Sequence, residues 1–183
     1  MDEIVKAALK KWPKVPACRG WLGLDARGDW YMRDDRVQAA GPFPKVKGSR
    51  IVHDKLIAFI ARNYERDDAS GAWFFQNGPQ RVYVELEAAP WVWRLDPVDL
   101  GVCSHTGLPA LARSAWLDEQ GRLFLDTELG FGLVHTQDML DAARAIEIGL
   151  WHPQTMPFAE MPQRFGYRLS PLADHAAGHG RGA

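Results

Sequence analysis

Cysteine is scarce in this chain. Two residues, Cys18 and Cys103, among 183 cannot make a disulfide framework, and they read as two buried thiols of a reducing compartment. An excess of either charge is also lacking, with a formal net charge of -1 and a pI of about 6.6. A nonspecific nucleic-acid coat needs a basic face, so that class is excluded; a small local anion site is not. No apolar run approaches the ~20 residues of a membrane-crossing helix. The opening MDEIVKAALKKW carries acids at positions 2 and 3 and has no signal-peptide core. The expectation is a cytoplasmic protein with no membrane partner. Signatures of catalysis are missing too: there is no Walker loop, no G-x-S-x-G and no C-x-x-C. No metal and no cofactor is therefore expected.

What is present is an ordinary globular balance, 46% hydrophobic and 25% charged. Residues 2–12 read as a short amphipathic helix that Pro13 stops. WLGLDARGDWYM reads as two short strands around Asp25-Ala26-Arg27-Gly28, with Gly28 supplying the left-handed residue of the turn. Residues 38–49, rich in proline, glycine and lysine, read as loop. Residues 50–64 read as a helix with Val52, Leu56, Phe59, Ile60 and Asn63 on one stripe. Trp73, Phe74 and Phe75 begin a strand. Asn77-Gly78 would predict a two-residue hairpin turn, but Pro79 follows and points to a wider loop. Beyond it Val82, Val84 and Leu86 alternate with Arg81, Tyr83 and Glu85. Trp91, Trp93 and Leu95 share one face of the next strand.

Residues 96–110 read as the connection between two lobes. A second hairpin follows in ARSAWLDEQGRLFLDTE, then a helix over 136–149 with Thr136 as N-cap and Gly149 as its end signal. Residues 151–163, with three prolines, read as extended loop, RFGYRLS as a last strand, and 174–183 as a disordered tail. The fold class is α+β, in two lobes that each pair an antiparallel hairpin or sheet with a packed helix. The expected division is an N-terminal helix over 1–16, a first lobe over 17–97 and a second over 98–173. An echo links the lobes: Leu24-Asp25-x-x-Gly28 matches Leu117-Asp118-x-x-Gly121, and each unit ends in Val-His before a helix, at Val52-His53 and Val134-His135.

The order W…D-x-x-G-x-W, helix, then G-x-W-F-F…P-x-R-V-x-V-E-x-E-x-A-P-W resembles the proteobacterial domain-of-unknown-function families with a duplicated core, over about residues 12 to 147. The resemblance implies two lobes, a second lobe like a pleckstrin-homology barrel, and a ligand site between them; it implies no established activity. Members of these families carry an acid–base pair after the hairpin proline and an acid before the Ala-Pro-aromatic triplet. This chain has Gln80-Arg81 and Ala88 there.

Three groups of residues carry candidate chemistry. Lys45, Lys47, Ser49, Arg50, His53 and Lys55 precede or open the predicted helix, where unpaired N–H groups and the positive dipole end favour an anion. The bland alternative is a solvated basic loop with Ser49 as a simple N-cap. The strand face Arg81, Tyr83 and Glu85 is the second, with Tyr83, Trp73, Trp91 and Trp93 as possible stacking surfaces that are more commonly core. The histidines His53, His105 and His135 are the third; they are expected to cap or hydrogen-bond rather than to catalyse, and Cys103-x-His105 is too little for a nucleophile pair or a metal site. The functional expectation is a ligand-binding or regulatory module for a small anionic, nucleotide-like ligand held by Lys47, Ser49, Arg50, His53, Lys55, Arg81, Tyr83 and Glu85. The alternatives are an enzyme using His53 or His135 as acid/base, and a protein-interaction adaptor that uses its exposed aromatics.

Overall fold

The computed structural model describes residues 1–173 and His175. The chain divides into two compact units. One comprises Met1–Asp25, Asp29–Glu87 and the residues from Tyr167 onward; the other comprises Ala26–Gly28 and Ala88–Gly166. The boundary thus falls at 87/88, ten residues before the expected one at 97, and the chain returns to the first unit after Gly166. The disorder expected over 174–183 lies, His175 apart, outside the described residues.

The first unit opens with helix α1 (Glu3–Lys11), which ends at Trp12 ahead of Pro13. Strands β1 (Cys18–Leu24) and β2 (Trp30–Met32) form the predicted hairpin. Its turn closes because the Asp25 carboxylate accepts the Asp29 amide at 3.0 Å and Gly28 takes φ 83°, a conformation that costs glycine least. The paired acids Asp34-Asp35 start helix α2 (Asp35–Ala40), with Asp34 accepting the Val37 amide at 2.9 Å. Strand β3 (Ser49–Arg50) pairs with β2. Helix α3 (Asp54–Arg62) therefore begins four residues later than expected. Its N-cap is His53, not Ser49, and Val52 is exposed outside it, whereas Ile60 and Asn63 of the predicted stripe are fully buried. Burying Ile60 alone contributes about 1.5–3 kcal/mol.

Strands β4 (Tyr64–Arg66), β5 (Trp73–Asn77) and β6 (Gln80–Leu86) complete the sheet, in the order β3-β2-β1-β6-β5-β4. The β5–β6 register pairs Asn77 with Gln80, so the loop is the two residues Gly78-Pro79 and not a wider one. Gly78 takes φ 56°. The amide that closes such a turn belongs to the residue after the loop, so the missing N–H of Pro79 leaves it intact. The sheet is not purely antiparallel: β1 and β6 run parallel, a pairing between distant segments that alternation cannot reveal. Arg33 is 1% exposed in this unit. Its guanidinium donates to the carbonyls of Gly20, Gly41 and Val46, at 3.2, 2.7 and 3.2 Å, and so pins the 41–48 loop.

The second unit holds β7 (Trp91–Leu95), β8 (Val102–Ser104), β9 (Pro109–Ala110), β10 (Ala112–Leu117), β11 (Leu123–Thr127), β12 (Gly130–Val134), α4 (Met139–Glu147) and β13 (Gln154–Thr155), with α5 (Met161–Phe165) at its end. The sheet order is β13-β10-β11-β12-β7-β8-β9, again mixed, with β12–β7 and β10–β13 parallel. A single 3₁₀ turn, Thr136–Asp138, leads into α4, and its cap is His135 rather than Thr136. Gly149 ends the helix as expected, with φ 75°. The stretch RFGYRLS is not a strand: Arg164 and Phe165 finish α5, and Gly166 is its left-handed cap. The α+β class and the two-unit plan hold.

The echo in the sequence is an echo in structure. Asp118 accepts the Arg122 amide at 2.8 Å, as Asp25 accepts that of Asp29, and Gly121 takes φ 72° beside the 83° of Gly28. Each turn sits in a three-stranded antiparallel meander, β1-β2-β3 or β10-β11-β12. Each meander is followed by a histidine-capped helical turn.

Candidate functional site

The predicted anion residues are not gathered into one place. Lys47 bonds the carboxylates of Asp25 at 3.0 Å and Glu87 at 2.8 Å. Burial pulls its pKa down, but these two partners outweigh burial and leave it raised. Arg50 pairs with Asp29 at 2.7 Å, and Ser49 is committed to the β2 ladder. The His53 Nδ1 takes up the Leu56 amide at the start of α3, at 3.4 Å. Lys55 is exposed within α3. This group lies at the β3 edge of the sheet, three strand positions from β6, roughly 14 Å at ordinary strand spacing.

Arg81, Tyr83 and Glu85 do belong together, on one face of β6, but in different roles. Arg81 is exposed; its guanidinium lies 4.6 Å from the Phe74 ring centroid and 3.9 Å from Asp67. Tyr83 is buried and its hydroxyl donates to Asp67 at 2.9 Å. Glu85 is 3% exposed and accepts from Ser170 Oγ and from the Leu172 amide at 3.0 Å.

Tyr83 opens onto a cleft of about 430 Å³, whose polar lining is Arg19, Asp67, Ser70, Tyr83, Arg168 and His175. Strand periodicity builds the sheet wall. Arg19 of β1 and Tyr83 of β6 sit on neighbouring parallel strands, and the Arg19 guanidinium lies over the Tyr83 ring, 4.6 Å from its centroid. The adjacent residues Cys18 and Val82 face a separate, apolar hollow of about 270 Å³ with Phe59 and Phe75. At the cleft, Asp67 is half-buried and accepts from Ser70 Oγ as well as from Tyr83. Burial raises the Asp67 pKa, yet bonds from Ser70, Tyr83 and the Ala69 amide overcome that and hold it below the usual carboxylate range. The Tyr83 phenol is pushed up, first by burial and then by Asp67. Asp67 is therefore a fixed carboxylate and Tyr83 a fixed donor. Arg168 donates through Nε to the Ser70 carbonyl at 3.2 Å.

Arg19, Asp67, Ser70, Arg168 and His175 are site residues that the sequence reading passed over. Arg19 lies in no motif. Arg168 reaches the cleft only because the last segment returns to the first unit. The available signal was Tyr83, since a phenol on a half-polar strand face needs a hydrogen-bond partner.

The three candidate histidines each brace the backbone. The His135 Nδ1 accepts the Gln137 amide at 3.1 Å, and the His105 Nδ1 accepts the Val92 amide at 3.2 Å. His53, His105 and His135 thus all present a ring nitrogen to a backbone amide, which binds the lone pair a general base would use. Both cysteines are free and half-buried rather than fully buried. Among the described residues there is no group of three or more His, Cys, Asp and Glu able to hold a metal ion, and no helix long and apolar enough to cross a membrane.

No curated protein is significantly similar to the chain. A crystallised DUF1285 family protein from Silicibacter pomeroyi DSS-3 is similar to it at 12% identity with a TM-score of 0.48, over 78% of this chain and 83% of that one. The model of the family DUF2944, described as a protein of unknown function (DUF2946), matches residues 1–172, and the chain belongs to that family.

Proposed function

We propose that the protein is a binding module for a small anion, and that the anion is held in the first unit by Arg19 and Arg168. The observation that carries this reading is the convergence of two guanidinium side chains, with His175, Ser70 and Tyr83, on one cleft. Arg19 is held over the Tyr83 ring, and a guanidinium offers a planar N–H fork that can grip two oxygens of a carboxylate or phosphate. The same placement covers one face of the Tyr83 ring, and Phe74 meets that ring edge-on at 5.9 Å. The ligand is accordingly recognised by charge and not by stacking of a base. Asp67 repels an anion from its end of the cleft and so directs it toward the arginines.

The test is a thermal-shift titration with inorganic phosphate, sulfate and dicarboxylates. An anion that binds only the folded state raises the melting temperature. Arg19→Ala and Arg168→Ala should each remove that rise, whereas Arg50→Ala, whose guanidinium is paired with Asp29, should respond as the wild type does. A rise that survives Arg19→Ala, or no rise with any anion, overturns the reading.

A further inference from the structure

The two arginines of the cleft come from different parts of the chain. Arg19 is on a central strand of the sheet. Arg168 belongs to the segment that returns after Gly166, which also supplies Pro171 and His175 to the lining. Among its described residues that segment has no strand ladder of its own. It is fastened by individual bonds: the Leu86 amide donates to the Leu169 carbonyl at 2.8 Å, the Leu172 amide donates to Glu85 at 3.0 Å, and Ser170 Oγ donates to the other Glu85 oxygen. One carboxylate, 3% exposed, thus holds both sides of a helical turn that starts at Pro171. Ser170 also accepts the Ala173 amide at 3.2 Å, so the residue clasped by Glu85 is itself the cap of that turn.

We infer that residues 167–173 are a clasp whose docking is coupled to ligand occupancy, with Glu85 and Ser170 as positioning residues for the anion site; this rests on the anion-binding reading above. An anion gripped by Arg19 and Arg168 together ties the segment to the sheet. Undocking carries Arg168 away and destroys the site. Binding therefore stabilises the docked segment, and by reciprocity anything that loosens the segment weakens binding. Local opening of a segment fastened by individual bonds and not by a ladder is the event that amide exchange detects.

The experiment is amide hydrogen exchange at Leu172 and Leu86 in the full chain, with and without inorganic phosphate, alongside a phosphate titration. Phosphate at one hundred times its Kd should slow exchange of the Leu172 amide by up to about 100-fold, with a smaller effect on Leu86, which belongs to β6. Ser170→Ala should speed Leu172 exchange in the absence of phosphate and weaken phosphate binding several-fold, although Ser170 Oγ need not touch the anion. Glu85→Gln should act in the same direction. Its charge also faces the buried Arg33, so Ser170→Ala is the variant that decides if Glu85→Gln fails to fold. If phosphate raises the melting temperature through Arg19 but leaves Leu172 exchange unchanged, or if Ser170→Ala binds phosphate as tightly as the wild type, the clasp is overturned and the anion site stands. If phosphate does not bind at all, both fall.

Discussion

The Arg19 guanidinium lies over the Tyr83 ring, 4.6 Å from its centroid, while the Tyr83 hydroxyl donates to Asp67 at 2.9 Å. The cation is thus positioned by a ring that is itself held by an acid. Arg19→Lys keeps the charge but replaces a planar fork with a point charge that cannot grip two oxygens in one plane. Loss of the contact with the ring should lower unliganded stability by about 0.5–1 kcal/mol. The expected outcome is a near-normal melting temperature without ligand and a phosphate-induced shift reduced to a small fraction of the wild-type one. A full shift in the lysine variant would show that charge alone suffices.

Much of the fold can be read from local pattern. Gly28 and Gly121 mark turns because only glycine takes a positive φ without strain, and the Ile60 stripe marks α3. What could not be read is non-local. The parallel pairing of β1 with β6 joins Leu22 to Val84 across sixty-two positions, and no periodicity encodes it. The site shows the same limit. Tyr83 was legible as a polar residue on a buried strand, but its partners Arg19 and Asp67, and Arg168 across the same cleft, are brought there by topology. The basic run at 45–55 misled for the opposite reason. Local charge counts do not reveal that Asp25, Asp29 and Glu87 neutralise Lys47 and Arg50.

His105 makes stability sensitive to acid. The residue keeps some exposed surface, but its Nε2 is buried; Nδ1 accepts the Val92 amide, and burial pulls the pKa down to about 3. With an unfolded value near 6.5, the unfolded chain binds the proton first. The neutral ring's contribution is complete above pH 6.5 and is lost as pH falls from there toward 3, at up to about 1.4 kcal/mol per pH unit. Urea unfolding at pH 7, 6 and 5 should show this loss, and His105→Gln should flatten the slope while lowering stability at pH 7. An unchanged slope in the variant would assign the acid sensitivity to other groups.

The paired turns predict matched losses. Asp118 accepts the Gln120 and Arg122 amides and the Arg122 Nε; Asp25 accepts the Asp29 amide and the Lys47 ammonium. Replacing either acid with alanine leaves partly exposed turn amides without that acceptor, at a cost of about 0.5–1.5 kcal/mol. Asparagine retains a carbonyl oxygen for the amides and should recover part of the loss in both turns. Denaturant midpoints for the four variants check this, and a neutral Asp25→Ala would break the equivalence.

Glycine matters for two separable reasons in the second unit, and alanine substitution distinguishes them. At Gly121 the φ is 72° and no heavy atom stands within 4 Å of where a Cβ would lie, so alanine meets backbone strain alone, worth about 1 kcal/mol. At Gly132 a Cβ would fall 2.3 Å from Trp93 Nε1 and 2.7 Å from Trp91 Cβ. Gly132 pairs with Trp91 in the parallel β12–β7 register, and both tryptophans are buried, with Trp93 Nε1 bonded to the Leu125 carbonyl at 3.2 Å. These rings are core, not a stacking surface for a ligand. Relief of the clash requires moving an indole that is packed and hydrogen-bonded, so Gly132→Ala should cost 1–3 kcal/mol or more from overpacking. The strain at Gly121 also acts without disturbing neighbours, so only Gly132→Ala should change the tryptophan fluorescence of the folded protein. Equal costs at the two sites, with unaltered fluorescence in both, would mean that the sheet shifts to admit the methyl group and that Gly132 is not required by the Trp91–Trp93 pair.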